Sequence, residues 1–148
     1  MTLSKGDFYN SVELGNIYLL QKHKLRTTTE PHLFIVVGKN DEEVVLFSCC
    51  TSQFEKRRKH IELAGLPETT LVYIKPDAYN HFDKNTYVDC NQVIPYTVDD
   101  LYALRIIGDL GQVGVLRKGK MEEIRTGIND SPNVEGEYKD IVNGNGDE

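Results

Sequence analysis

The chain has 148 residues, 39% hydrophobic and 27% charged, and a formal net charge of −6. These values describe one globular domain with room for a core. They exclude a membrane-spanning class, because no apolar run approaches the ~20 residues a bilayer needs. They also exclude a disulfide scaffold, because there are three cysteines and Cys49 and Cys50 are adjacent.

Most of the net negative charge lies after Pro132, where Glu135, Glu137, Asp140, Asp147 and Glu148 face only Lys139. Met1 to Asp7 lacks the apolar core of a signal peptide, so the expected compartment is cytoplasmic. Residues 1–13 read as a polar lead-in with a short helical turn. Gly15 to Leu20 reads as the first strand. Lys22 to Glu30 (KHKLRTTTE) is basic, Thr-rich and aperiodic, and reads as a loop that Pro31 ends.

Leu33–Val37 and Val44–Ser48 are β-branched and aromatic runs separated by the turn-prone Gly38-Lys-Asn-Asp-Glu-Glu43. They predict an antiparallel hairpin whose outer ends bring His32 beside Cys50-Thr51-Ser52. Phe54-Glu-Lys-Arg-Arg-Lys-His60 is a charged excursion, helical near 53–59. Thr70–Lys75 and Thr86–Cys90 read as strands, the second exiting through Val93 and Ile94.

Thr97-Val-Asp-Asp100 resembles a capping box and opens a helix with Leu101, Leu104 and Ile107 on one stripe. The glycines of Gly108-Asp-Leu-Gly-Gln-Val-Gly114 read as a turn. Lys118–Thr126 predicts a helix with Met121, Ile124 and Ile128 on one face. Short strands followed by late helices predict a mainly β, α+β domain over 1–131: a small half-open barrel with C-terminal helices. Residues 132–148 read as an acidic, flexible tail.

The order of these segments resembles the MazF/PemK family, SH3-like barrels that serve as toxins of toxin–antitoxin pairs. Gly15-Asn-Ile-Tyr18 is similar to the family's opening G-[DE]-I-[YW] strand. Pro31 before an apolar strand is similar to its R-P-V-V-V segment. Cys50-Thr51-Ser52 is similar to its [PV]-[IL]-T-S exit, and Thr86 to Gln92 to its S-x-V-x-x-D-Q segment. Ile107-Gly108 is similar to its x-I-G-x-L stretch. Pro31-His32 is similar to a subset of the family that carries P-H at the second strand. Three positions depart from the pattern: Glu30 stands where the family has Arg, Asn91 where it has an acid before Gln, and Asp89 where some members carry a base.

The resemblance implies a metal-independent endoribonuclease that cuts single-stranded RNA, needs no cofactor, forms a homodimer and is restrained by an antitoxin protein. The alternative is an inactive barrel of the same fold that binds nucleic acid or a protein. Such cleavage needs a proton carrier and donors to the phosphate. His32 is the candidate acid–base group. Thr51 and Ser52 are candidate donors, and Arg26 the candidate replacement for the lost Arg. Lys56, Arg57, Arg58, Lys59 and His60 form a candidate phosphate track, with His81 a further RNA contact. Cys49 and Cys50, as neighbours on a strand, point to opposite faces and do not share a metal ion.

Overall fold

The computed structural model describes residues 3–20 and 32–144. In chain order they form α1 (Lys5–Ser11), β1 (Asn16–Leu20), β2 (His32–Lys39), β3 (Val44–Thr51) and α2 (Phe54–Leu63). A 3₁₀ turn (Glu68–Thr70), β4 (Leu71–Ile74), β5 (Thr86–Thr97) and α3 (Val98–Ile106) follow. The chain continues through β6 (Leu110–Val115), α4 (Lys118–Asp130) and α5 (Gly136–Gly144). The fold is α+β, one six-stranded antiparallel sheet in the order β4-β5-β3-β2-β1-β6 with five α-helices among the described residues. None of these helices is long and apolar enough to cross a membrane.

The expected hairpin is present: Phe34 pairs with Cys49, Ile35 with Ser48 and Val36 with Phe47. Successive residues of its strands feed two cores. Ile35, Val37, Leu46 and Cys50 lie on the face covered by Ile124 and Ile128 of α4 and Val142 of α5. Phe34, Val36, Val45 and Phe47 lie on the other face, with Phe8 of α1 and Leu101 of α3. Helices cover both faces, which is why these strands read as unbroken apolar runs and not as alternation. Phe47 fixes the second core by edge-on contacts with Tyr18, Phe34 and Tyr96 at 6.0, 6.1 and 5.8 Å.

Local signals hold at most element ends. The Asn40 side-chain carbonyl accepts from the N–H groups of Glu42 and Val44 at 3.0 and 3.1 Å and closes the hairpin. Thr97 caps α3 by accepting from Asp100 N–H at 3.1 Å. Pro132 follows the end of α4 at Ser131.

Three expectations are corrected. The glycine-rich segment 108–114 is not a turn: Leu110–Val115 is strand β6, paired along β1. Its glycines hide the alternation, and Gly114 is required by packing, since a Cβ there would lie 2.5 Å from the Asn80 carbonyl oxygen. Residues 136–144 of the predicted flexible tail form α5 instead. Gly38 lets it approach β2, since a Cβ there would already sit 3.2 Å from Ile141 Cγ2. Finally, Ile107 caps α3 and is 68% exposed, so it lies off the buried stripe.

Strand pairing does not close the sheet among the described residues; β4 and β6 are its edges. The loop leaving β4 nevertheless reaches the far edge. Val115 N–H donates to the Tyr79 carbonyl at 3.0 Å, and Arg117 pairs with Asp77 at 3.1 Å.

Candidate nucleic-acid interface

Two candidate side chains, His32 and Thr51, fall into one row across the sheet with two tyrosines. Thr51 pairs with Tyr87, and Tyr87 with Tyr73. The Phe34–Cys49 register, carried two residues outward, sets His32 level with Thr51. Directly opposed residues share a face. His32, Thr51, Tyr87 and Tyr73 therefore stand side by side on β2, β3, β5 and β4, over roughly 15 Å at the usual strand spacing. Cys50, Val88 and Val72, one position along each strand, point into the first core, so the row occupies the opposite face.

At one end of the row, His32 and Thr51 are half-buried and Ser52 is exposed. Thr51 Oγ1 accepts from Gln53 N–H at 3.1 Å, which orients the hydroxyl and leaves its O–H as a donor. At the other end three rings stack. Phe54, opening α2, lies 4.7 Å from Tyr87 at 35°, and Tyr87 lies 5.4 Å from Tyr73 at 38°. The Arg58 guanidinium is 5.9 Å from the Phe54 ring centre, and the Lys120 ammonium is 6.0 Å from that of Tyr73.

The basic cluster on α2 divides by helical face. Positions 54, 57, 58 and 61 point toward the sheet, and Ile61 is buried. Arg57 follows that face to Asp89 of β5, at 3.3 Å, where the carboxylate side chain is only 5% exposed. Asp89 also accepts from the backbone and side-chain N–H groups of Asn91, both at 3.0 Å. This satisfies donors released where the β3–β5 register slips. Asn91 in turn accepts from the Ser131 hydroxyl at 2.6 Å and so ties α4 to the bulge. Asp89 and Asn91, which break the motif pattern, thus form a structural clamp. Arg58 pairs with Glu55 and Glu62. Lys56, Lys59 and His60 are exposed on the outer face.

His81 is not part of the row. It sits in the loop after β4 with φ of +58° and is exposed. Arg26, Glu30 and Pro31 lie outside the described residues. Cys50 and Cys49 face different cores, as expected. Burial pushes the Cys50 and Cys90 thiols up, Cys49 and Cys90 adding to the effect on Cys50 and Asp89 to that on Cys90. Both are poor nucleophiles. No group of three His, Cys, Asp or Glu side chains among the described residues is placed to hold a metal ion.

The sequence reading passed over Phe54, Tyr73 and Tyr87. A signal was present, since Tyr73 and Tyr87 occupy the outward positions beside Val72 and Val88, but only the β4–β5 register brings them together. A cleft of about 420 Å³ lined by Leu14, Val37, Met121 and Ile128 lies under α4; no residue of the row lines it. No protein-family model matches the chain, and no curated protein matches it.

Proposed function

We propose that this protein is an endoribonuclease of the MazF/PemK kind, built on a half-open SH3-like barrel. In this reading it cuts single-stranded RNA without a metal, acts as a cytoplasmic homodimer and is held in check by an antitoxin protein. The supporting observation is the row that sets His32 level with Thr51 at the end of an aromatic stack. The barrel reading is supported by the loop that joins the β4 edge to β6 through Tyr79 and Asp77.

The chemistry follows from the side chains. His32, as neutral imidazole, takes the 2′-hydroxyl proton. The 2′-oxygen bonds to phosphorus, the bond to the 5′-oxygen breaks, and that oxygen leaves with a proton drawn from water. The products are a 2′,3′-cyclic phosphate and a 5′-hydroxyl. Thr51 and Ser52 donate to the phosphoryl oxygens as negative charge grows on them, and Arg26 adds positive charge. Lys56 and Lys59 add positive charge from the exposed face of α2.

One observation favours the second reading, a binding-only barrel. Asp89 and Asn91, which depart from the motif pattern, are committed to the structural clamp with Arg57 and Ser131. The deciding experiment incubates the purified chain with long single-stranded RNA, with and without chelator, and maps the ends. Chelator-resistant cuts leaving 5′-hydroxyl ends support the enzyme. Intact RNA that is nevertheless bound supports the binding-only barrel.

A further inference from the structure

The ring stack ends at an exposed tyrosine beside a cationic cleft. Tyr73 is 41% exposed, and its hydroxyl donates to the side chain of exposed Asn85 at 3.1 Å. Its ring centre lies 5.4 Å from that of Tyr87 and 6.0 Å from the Lys120 ammonium. Lys120 also lines a cleft of about 380 Å³, together with Lys75, Arg117, Asp77, Ile74 and Asn80. Three cations there face one carboxylate. Arg117 is shared with Asp77 at 3.1 Å, and Lys120 with Glu123 at 3.1 Å. Both pairs are surface pairs of small net strength, so either cation can turn to a stronger anion at little cost. α4 starts at this cleft with Lys118 and Lys120 and no acid in its first turn. Positive charge there opposes the helix dipole, and an anion in the cleft offsets it.

Resting on the RNA reading above, we propose that the β4 edge is a nucleotide subsite. Tyr73 takes one base of single-stranded RNA as the next ring of the Phe54–Tyr87–Tyr73 stack, and Lys75, Arg117 and Lys120 take the adjoining phosphate. An aromatic face next to cations is how single strands are held without sequence reading. The row then sets the register of the substrate, because a base on Tyr73 lies two strands from Thr51 and three from His32.

The test is fluorescence anisotropy with a short labelled RNA whose 2′-hydroxyls are all methylated, so that binding is read without cleavage. Tyr73→Ala weakens binding roughly 5- to 150-fold, the range one base–aromatic stack contributes. Tyr73→Phe binds like wild type. Lys120→Ala and Lys75→Ala weaken binding and each lower the log–log salt slope by about 0.7. Lys139→Ala, on α5, changes nothing, and circular dichroism confirms that each variant is folded. A folded Tyr73→Ala that binds like wild type overturns the subsite and leaves the enzyme reading standing. Equal displacement of the probe by a duplex of the same sequence also overturns it, since paired bases offer no free face. Binding that depends on Tyr73 in a protein that cuts no RNA keeps the subsite and removes the enzyme. No binding by wild type removes both.

Discussion

Asp89→Ala is the sharpest perturbation of the α2–β5 junction. It removes the 3.3 Å ion pair with Arg57 and two 3.0 Å hydrogen bonds from Asn91. Breaking one side of a fully buried pair costs about 3–5 kcal/mol. Arg57 retains 29% side-chain exposure and can turn toward water, so this part falls to about 1–2 kcal/mol. Orphaning the half-buried Asn91 N–H adds about 1–3 kcal/mol. The expected loss is therefore about 2–5 kcal/mol. Arg57→Ala leaves a buried carboxylate that still has both Asn91 donors, and costs about 2 kcal/mol. The double variant costs less than the sum by about 1–2 kcal/mol, because each single change strands the partner. Urea unfolding followed by far-UV circular dichroism measures all three, provided the slopes agree. A coupling within about 0.5 kcal/mol of zero refutes the clamp and returns Arg57 to the phosphate track. A second readout is RNA binding against salt: Lys56→Ala and Lys59→Ala each lower the slope by about 0.7, and Arg57→Ala leaves it unchanged.

Under the enzyme reading, His32→Ala slows single-turnover cleavage by roughly 10²–10⁴ with folding and affinity retained, and Thr51→Ala slows it less; wild-type rates in a folded His32→Ala protein would remove His32 from the mechanism. Gly127→Ala destabilises by about 1–3 kcal/mol in thermal melts, because its Cβ would lie 2.6 Å from the Thr69 carbonyl oxygen and 2.8 Å from Cys90 Sγ; an unchanged melt would mean that α4 sits farther from β5. Asp77 titrates below the usual carboxylate range, chiefly through the Asn80 N–H, then Tyr79 N–H and Arg117 against opposing desolvation. Its contribution is therefore complete above the unfolded carboxyl pKa and is lost as pH falls through the lower folded value. Protection of the Asn80 and Val115 amides, taken relative to their intrinsic exchange rates, should be high at neutral pH and fall in that acid window, and Asp77→Ala should abolish the pH step; equal protection in the variant at neutral pH would count against this loop clamp. Val142→Ala should cost about 1–2 kcal/mol, since its side chain is 2% exposed between α5 and β2; no loss would mean that α5 adds nothing to the core.

What the sequence determined by itself is what short-range physics determines. The two apolar runs around Asn40, the Thr97 cap and the Met121–Ile128 stripe each carry their signal within a few residues, and each formed the expected element. Only tertiary structure could decide which strands are neighbours and in what register. That decision set Thr51, Tyr87 and Tyr73 in one row though they lie far apart in the chain. It turned Asp89 from a motif departure into the partner of Arg57. It made a strand of the glycine-rich Leu110–Val115, whose ladder is supplied by β1, and a helix of Gly136–Gly144, whose apolar side needed β2 to pack on. Pairing partners and burial are properties of distant segments, and no local pattern encodes them.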